Sequence, residues 1–159
     1  MTASESLPIV AILDSGINGL ACVANFSGCQ NDDSLRHGTA MYERISQADC
    51  QILNVKVTDD KGLCWPSNLA AGIVWAVAQG ANYINISVSL PSDETGILAE
   101  AVAYALSRGV VIVAASIDGY PSYPACLPGV IGVQANGNGT ASEATAFKTF
   151  TLVNQKGIR

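Results

Sequence analysis

Short apolar runs that end in small or acidic residues recur along the chain and predict buried strands. Four of these runs cover residues 8–16, 50–59, 110–116 and 129–135. A further run, residues 82–90, alternates as a half-buried strand would. One face carries Ile84, Ile86 and Val88, and the other carries Asn85, Ser87 and Ser89.

Three stretches between the strands have the features of helices. Residues 37–48 can begin a helix, Ser67 is placed to cap residues 68–79, and a helical stripe of apolar residues covers about 95–108. Residues 17–36, rich in Gly, Asn, Asp and Ser, are interpreted as a loop. Strands that alternate with helices predict an α/β fold with a mainly parallel sheet, whose sites form at the carboxyl ends of the strands.

Composition narrows the function classes. The chain has 159 residues, of which 49% are hydrophobic and 13% are charged, so either its core is large or a partner covers apolar surface. Its net charge is −5 and it has no basic run, which argues against nucleic acid as a partner. No apolar stretch reaches the roughly 20 residues of a membrane span. The polar opening "MTASESLP" does not resemble a secretory signal, and a cytoplasmic location is expected.

The cysteines do not form a recognisable metal site. There are five, with no Cys-x-x-Cys pair and a single histidine beside them: Cys22, Cys29, Cys50, Cys64 and Cys126. We therefore expect reduced thiols, no metal and no cofactor. Cys22 and Cys29 could pair only in an oxidising compartment.

One carboxylate and the single histidine occupy positions that suit an acid–base pair. Asp14 ends the first strand, and His37 opens the first helix. A buried carboxylate can fix an imidazole in one tautomer and stabilise the imidazolium that forms during catalysis. By spacing alone, His37 could equally be a helix-start residue with no chemical role.

The local sequences favour the chemical reading. "VAILDSGI" (10–17) resembles the aspartate motif of the subtilisin-like serine peptidases, or subtilases, and "RHGTAM" (36–41) resembles their histidine motif. Four more segments follow the family's order, so the resemblance covers residues 8 to about 158. It implies a subtilisin-like three-layer sandwich, a single incomplete domain over residues 1–159, and Asp14 and His37 as the acid and base of the triad.

The family's nucleophile motif, Gly-Thr-Ser-Met-Ala, has no equivalent after these segments. "GTASEA" (139–144) places Ala141 at the nucleophile position, and Ser142 is interpreted as a turn residue. The tail "TFTLVNQKGIR" (149–159) resembles the stretch before the motif. We therefore expect a domain that lacks the C-terminal nucleophile helix and exposes part of one sheet face.

Two further segments depart from the family. The resemblance assigns Ser87, Val88 and Ser89 to the substrate-binding strand. The family reads Ser-Leu-Gly-Gly where this chain has residues 87–90, so Ser89 and Leu90 carry side chains in place of the glycines. It assigns Ser116 and Ile117 to the oxyanion site, with Ile117 in place of an asparagine. Losing that one donor costs about 10²–10³ in rate.

These departures lead to three hypotheses. The first is a protease homologue that is inactive on its own and acts as a peptide-binding or assembly subunit, in a setting such as peptide maturation. Its partner is a peptide or protein, and a homo- or hetero-oligomer covers the exposed sheet face. The alternative is an active serine endopeptidase whose nucleophile comes from a missing C-terminal part or a partner chain. The third is a degenerate fragment without a selected role.

Overall fold

The computed structural model describes residues 6–156. Six strands form one sheet: β1 (Ile9–Asp14), β2 (Cys22–Asn25), β3 (Gln51–Lys56), β4 (Tyr83–Ile86), β5 (Val111–Ala115) and β6 (Ile131–Val133). Four helices accompany them: α1 (His37–Ile45), α2 (Pro66–Ala78), α3 (Ile97–Ser107) and α4 (Ala141–Lys156). All neighbouring strands are parallel, in the order β2-β3-β1-β4-β5-β6.

Helices cover both faces of the sheet, giving three layers. Because side chains alternate along a strand, β1 sends Ala11 and Leu13 to the layer of α2 and α3. It sends Val10 and Ile12 to the layer of α1 and α4. Buried hydrophobic side chains fill both interfaces, so the carboxyl ends of the strands are held rigidly at one edge.

The structure confirms the predicted α/β class and parallel sheet. The predicted strands and helices occur, mostly with shorter bounds. The alternating run 82–90 is a strand only over Tyr83–Ile86. Helix α2 begins two residues earlier than expected, with Pro66 in its first turn and Trp65 as the N-cap, so the assignment of Ser67 as the cap is wrong.

Two elements lie where the sequence predicted none. Strand β2 falls inside residues 17–36, which were interpreted as a loop, and it forms one edge of the sheet. Helix α4 occupies most of the tail, and Ser142 lies in its first turn, so the assignment of Ser142 to a turn is wrong. The last residues of the tail, 157–159, lie outside the described residues, as do residues 1–5 of the opening segment.

Helix α4 packs on the sheet face that we expected to be bare. Ala146 and Val153 join its hydrophobic core, and Thr149 Oγ1 donates a hydrogen bond to Asn85 Oδ1 at 2.9 Å. The expectation of an exposed apolar sheet face is therefore wrong, because this chain supplies the cover itself. Within residues 6–156, no helix is long and apolar enough to cross a membrane.

Candidate functional site

Asp14 and His37 meet at the carboxyl edge of the sheet. Asp14 is the last residue of β1, and its Oδ1 accepts hydrogen bonds from the Ser15 N–H at 2.7 Å and from His37 Nδ1 at 2.6 Å. The Asp14 side chain is 1% exposed, whereas that of His37 is 36% exposed. Because Nδ1 donates to the carboxylate, Nε2 is the nitrogen left to act as a base.

The Asp14 contact changes the basicity of the imidazole. Its hydrogen bond and negative charge raise the pKa of His37 above the usual 6.5, and the charge of Asp33 adds to this, against the lowering effect of burial. The raised pKa means that these contacts stabilise the protonated imidazole beside the carboxylate. A general base reaches this protonated state after it takes a proton.

The start of α1 lies unusually close to the strand that carries Asp14. A Cβ on Gly38 would overlap the carbonyl oxygen of Gly16 and lie 3.1 Å from the Asp14 Cβ. The Gly38 N–H donates to Ser15 Oγ at 3.0 Å. Glycine is therefore required after His37 for the helix to bring the imidazole against Asp14.

A cleft of about 380 Å³ opens beside the pair. Its lining includes all three predicted residues of the substrate strand: Ser87, Val88 and Ser89. Among the described residues, the backbone groups of Val88 and Ser89 make no hydrogen bond. The next residue, Leu90, pairs with Tyr123 in an antiparallel bridge, with both N–H···O distances at 2.9 Å. The cleft thus presents a two-residue stretch of unpaired backbone.

The structure does not bring the predicted oxyanion residues into this cleft. Ser116 follows β5 and donates its N–H to the Val133 carbonyl, and neither Ser116 nor Ile117 lines the cleft. The Ile117 side chain is 49% exposed, and its N–H is bonded to Ser122 Oγ at 2.8 Å. This N–H is therefore already committed to an intramolecular acceptor.

Ser142 lies at the rim of the site, which the sequence analysis missed. Its hydroxyl donates to the Ser87 carbonyl oxygen at 2.9 Å, and Ser87 lines the cleft together with His37. Thr140, directly before α4, and Glu143, in its first turn, bond reciprocally as in a capping box. The Thr-x-x-Glu spacing was the signal in the sequence that could have located the start of α4.

The cleft floor adds polar groups but no metal cluster. Thr58 is 2% exposed, and among the described residues its hydroxyl and Asp14 Oδ2 have no hydrogen-bond partner. Cys64 also lines the cleft, and burial raises the pKa of its thiol to about 12. The part of the chain that the structure describes contains no group of three His, Cys, Asp or Glu side chains that could hold a metal ion.

Comparisons with known proteins agree on one family. The model of the subtilase family matches residues 6–155. The minor extracellular protease Epr of Bacillus subtilis is 32% identical over 150 residues, covering 79% of this chain and 23% of that protein. Subtilisin DY of Bacillus licheniformis is 30% identical over 154 residues, covering 79% of this chain and 55% of that protein.

The fold comparison covers more of the chain than the two relatives above. The structure of Sphericase superimposes with a TM-score of 0.74 over 94% of this chain and 77% of that one, at 22% sequence identity. Thermitase of Thermoactinomyces vulgaris is 30% identical over 139 residues, covering 86% of this chain and 46% of that protein. The chain thus spans between a quarter and about half of the length of these curated relatives.

Proposed function

Because the chain belongs to the subtilase family, we propose that it binds an extended peptide in the cleft beside Asp14 and His37 without cutting it. One observation carries the second half of this proposal. Among the described residues, the His37 side chain forms a hydrogen bond with Asp14 and with no hydroxyl or thiol. The acid and base are therefore assembled, but no nucleophile is bonded to the base.

The unpaired backbone in the cleft supports peptide binding. An extended peptide can add to bare N–H and C=O groups as a further strand, and its side chains then meet the walls of the cleft. Val88 and Ser89 offer such groups, and the bridge between Leu90 and Tyr123 ends the open stretch. The side chains of Val88 and of Ser89, the latter in place of a family glycine, then select among peptides.

A binding experiment tests the first half. The probe is a pool of acetylated and amidated hexapeptides with randomised central residues, titrated into ¹⁵N-labelled protein. We expect dose-dependent shifts of the Val88 and Ser89 amide signals and no new peptide termini by mass spectrometry. Ser89→Pro removes one N–H together with its signal and should abolish the shift of the Val88 amide, whereas Ser89→Ala keeps the N–H and should preserve the shifts.

Modified peptides provide a control in which the protein itself is unchanged, so the result does not depend on whether a variant folds. Peptides N-methylated at the central residues cannot donate to the cleft edge and should bind at least tenfold more weakly. Equal binding of methylated and unmethylated pools, or no amide shifts at all, would refute binding by strand addition. Accumulation of cleaved peptide would refute the non-cutting half.

A second candidate function is peptide-bond hydrolysis with Ser142 as the nucleophile. It is favoured by the position of the Ser142 hydroxyl on the Ser87 carbonyl, at the rim of the cleft that His37 lines. A fluorophosphonate probe discriminates between the two. Labelling of the wild-type chain that disappears in Ser142→Ala would establish this candidate, and no labelling in either chain supports the non-cutting function.

The biological setting stays a prediction. In the proposed setting, the cleft holds the precursor peptide of a partner protein while that peptide matures. A cleft that binds peptides without cutting them suits this task. A cytoplasmic setting, in which thiols stay reduced, is part of this proposal. A pull-down from cytoplasmic extract with wild-type protein and with Ser89→Pro would identify partners whose capture depends on the cleft.

A further inference from the structure

We propose that Asp33 is the positioning residue of the acid–base pair, because it holds the first turn of α1 so that His37 stays against Asp14. The role does not depend on what binds in the cleft. Asp33 lies in the loop before α1, four residues ahead of His37, and its side chain is 1% exposed. Buried carboxylates are costly unless donors surround them, so a fully satisfied one indicates a specific arrangement.

The carboxylate of Asp33 receives three donors. Ser15 Oγ–H donates to Oδ1 at 2.7 Å, and the Thr39 N–H and hydroxyl donate to Oδ2 at 2.9 Å and 2.6 Å. Two of these donors come from the first turn of α1, and the third comes from the residue after Asp14. A single carboxylate thus bridges the strand end and the helix start.

Helix α1 needs this bridge because its own N-cap is poor. The N-cap residue is Arg36, which has a φ of 59° and forms no side-chain cap. A non-glycine residue in this left-handed region is strained, and the first N–H groups of a helix need acceptors from elsewhere. The Gly38 N–H goes to Ser15 Oγ, and the Thr39 N–H goes to Asp33.

The same small network reaches Asp14. Ser15 links the two carboxylates, since its N–H donates to Asp14 Oδ1 while its hydroxyl donates to Asp33. His37 is the first residue of α1, directly before the two residues whose N–H groups are fixed. Releasing the Asp33 contacts would therefore let the helix start move relative to β1 and lengthen the 2.6 Å contact between His37 and Asp14.

The titratable and charged groups around His37 come from β1, from the loop before α1 and from the loop before α2. Asp14 at the end of β1 and Asp33 in the preceding loop both favour the protonated imidazole. Cys64, from the loop before α2, faces the same cleft, and its raised pKa keeps it neutral near pH 7. Arg36 is exposed beside His37 in the chain. The negative neighbours are thus Asp14 and Asp33.

The test uses the fact that His37 is the chain's single histidine. In untagged protein, NMR follows one imidazole titration and one downfield Nδ1 proton signal without assignment ambiguity. In Asp33→Asn we expect the pKa of His37 to fall and the Nδ1 proton signal to broaden beyond detection. Asp32→Asn removes the same charge from the exposed neighbouring residue and should leave both readouts as in the wild type.

A second pair of variants keeps the charge of Asp33. Thr39→Val removes one donor to Asp33 and should broaden the Nδ1 proton signal, whereas Thr39→Ser keeps the hydroxyl and should retain it. This pair also decides the matter if Asp33→Asn does not fold. A sharp Nδ1 proton signal in both Asp33→Asn and Thr39→Val, or in Thr39→Val when Asp33→Asn is unfolded, would overturn the positioning role even if the melting temperature fell.

Discussion

Replacing Thr149 by valine tests how α4 is seated on the sheet. The two side chains have nearly the same shape, so the exchange removes a hydroxyl while leaving the packing almost unchanged. Thr149 is 0% exposed, and its hydroxyl is the donor that the described structure gives to Asn85 Oδ1, at 2.9 Å. Asn85 is also 0% exposed, so no water can replace the lost donor.

The expected cost follows from this burial. An acceptor left unpaired in the interior costs about 1–3 kcal/mol, and we take about 2 kcal/mol as the loss in the free energy of unfolding. For a chain of this size, 1 kcal/mol corresponds to about 2–4 °C in melting temperature. Thr149→Val should therefore lower the melting temperature by about 4–8 °C, measured by circular dichroism or calorimetry.

The matched control lies two residues further along the same helix. Thr151 donates its hydroxyl to the Phe147 carbonyl within α4, at 3.0 Å, on the more exposed side. Thr151→Val makes the identical chemical change and should alter the free energy of unfolding by no more than about 0.5 kcal/mol. If the two variants melt at the same temperature, the Asn85 contact does not hold α4, and the reasoning fails.

Three further changes probe the site. Gly38→Ala should cost about 1–3 kcal/mol in a thermal melt, because its methyl overlaps backbone and reaches 3.1 Å from the Asp14 Cβ. Gly139→Ala, whose methyl would meet one carboxylate at 3.5 Å, should be near neutral, and equal losses would contradict this. His37→Gln should destabilise the fold more at about pH 6 than at pH 9. The raised folded pKa of His37 contributes stability that is complete below 6.5 and is lost as the pH rises through the folded value; a loss that grows with pH would reverse this sign. Iodoacetamide at pH 8 should alkylate exposed Cys126 well before Cys64, whose pKa is about 12, and peptide mapping that finds Cys64 modified first would contradict the burial of its thiol.

Strands β1 and β5 were predictable because each contains an uninterrupted run of apolar side chains. Val10 to Leu13 in β1 and Ile112 to Ala114 in β5 are fully buried, as parallel strands between helices must be. Strand β2 was not predictable, since its four residues lie at the sheet edge among Gly, Asn and Ser, where burial is partial. Short edge strands carry little hydrophobic signal.

Helix α4 escaped prediction for a different physical reason. Its buried face includes Thr145 and Thr149, because the strand beneath it offers the polar side chain of Asn85. A polar residue that packs against a polar residue leaves no apolar stripe for periodicity to detect. The alternation in residues 82–90 correctly placed Asn85 opposite Ile84, but it did not indicate that both faces are buried.

The candidate site was predicted in part. Local motifs identified Asp14 and His37, and the structure brings them to 2.6 Å. The sequence could not indicate the part played by Asp33, which lies in the stretch 17–36 that was interpreted as a loop, because its donors come from two segments that meet only in the folded chain. The position of Ser142 likewise depends on where α4 packs, which local spacing does not determine.

The two hydroxyls that join α4 to β4 and the residue after it are seven residues apart. Ser142 bonds to Ser87 and Thr149 bonds to Asn85, so two helical turns separate two contacts on the same side of α4. Both hydrogen bonds can form together only at one position of the helix along the strand. Inserting or deleting one residue between them would rotate one contact by about 100° relative to the other. The contact at the cleft rim therefore depends on the buried contact of Thr149. A change in chain length within α4 would displace Ser142 from Ser87, which lines the cleft beside His37.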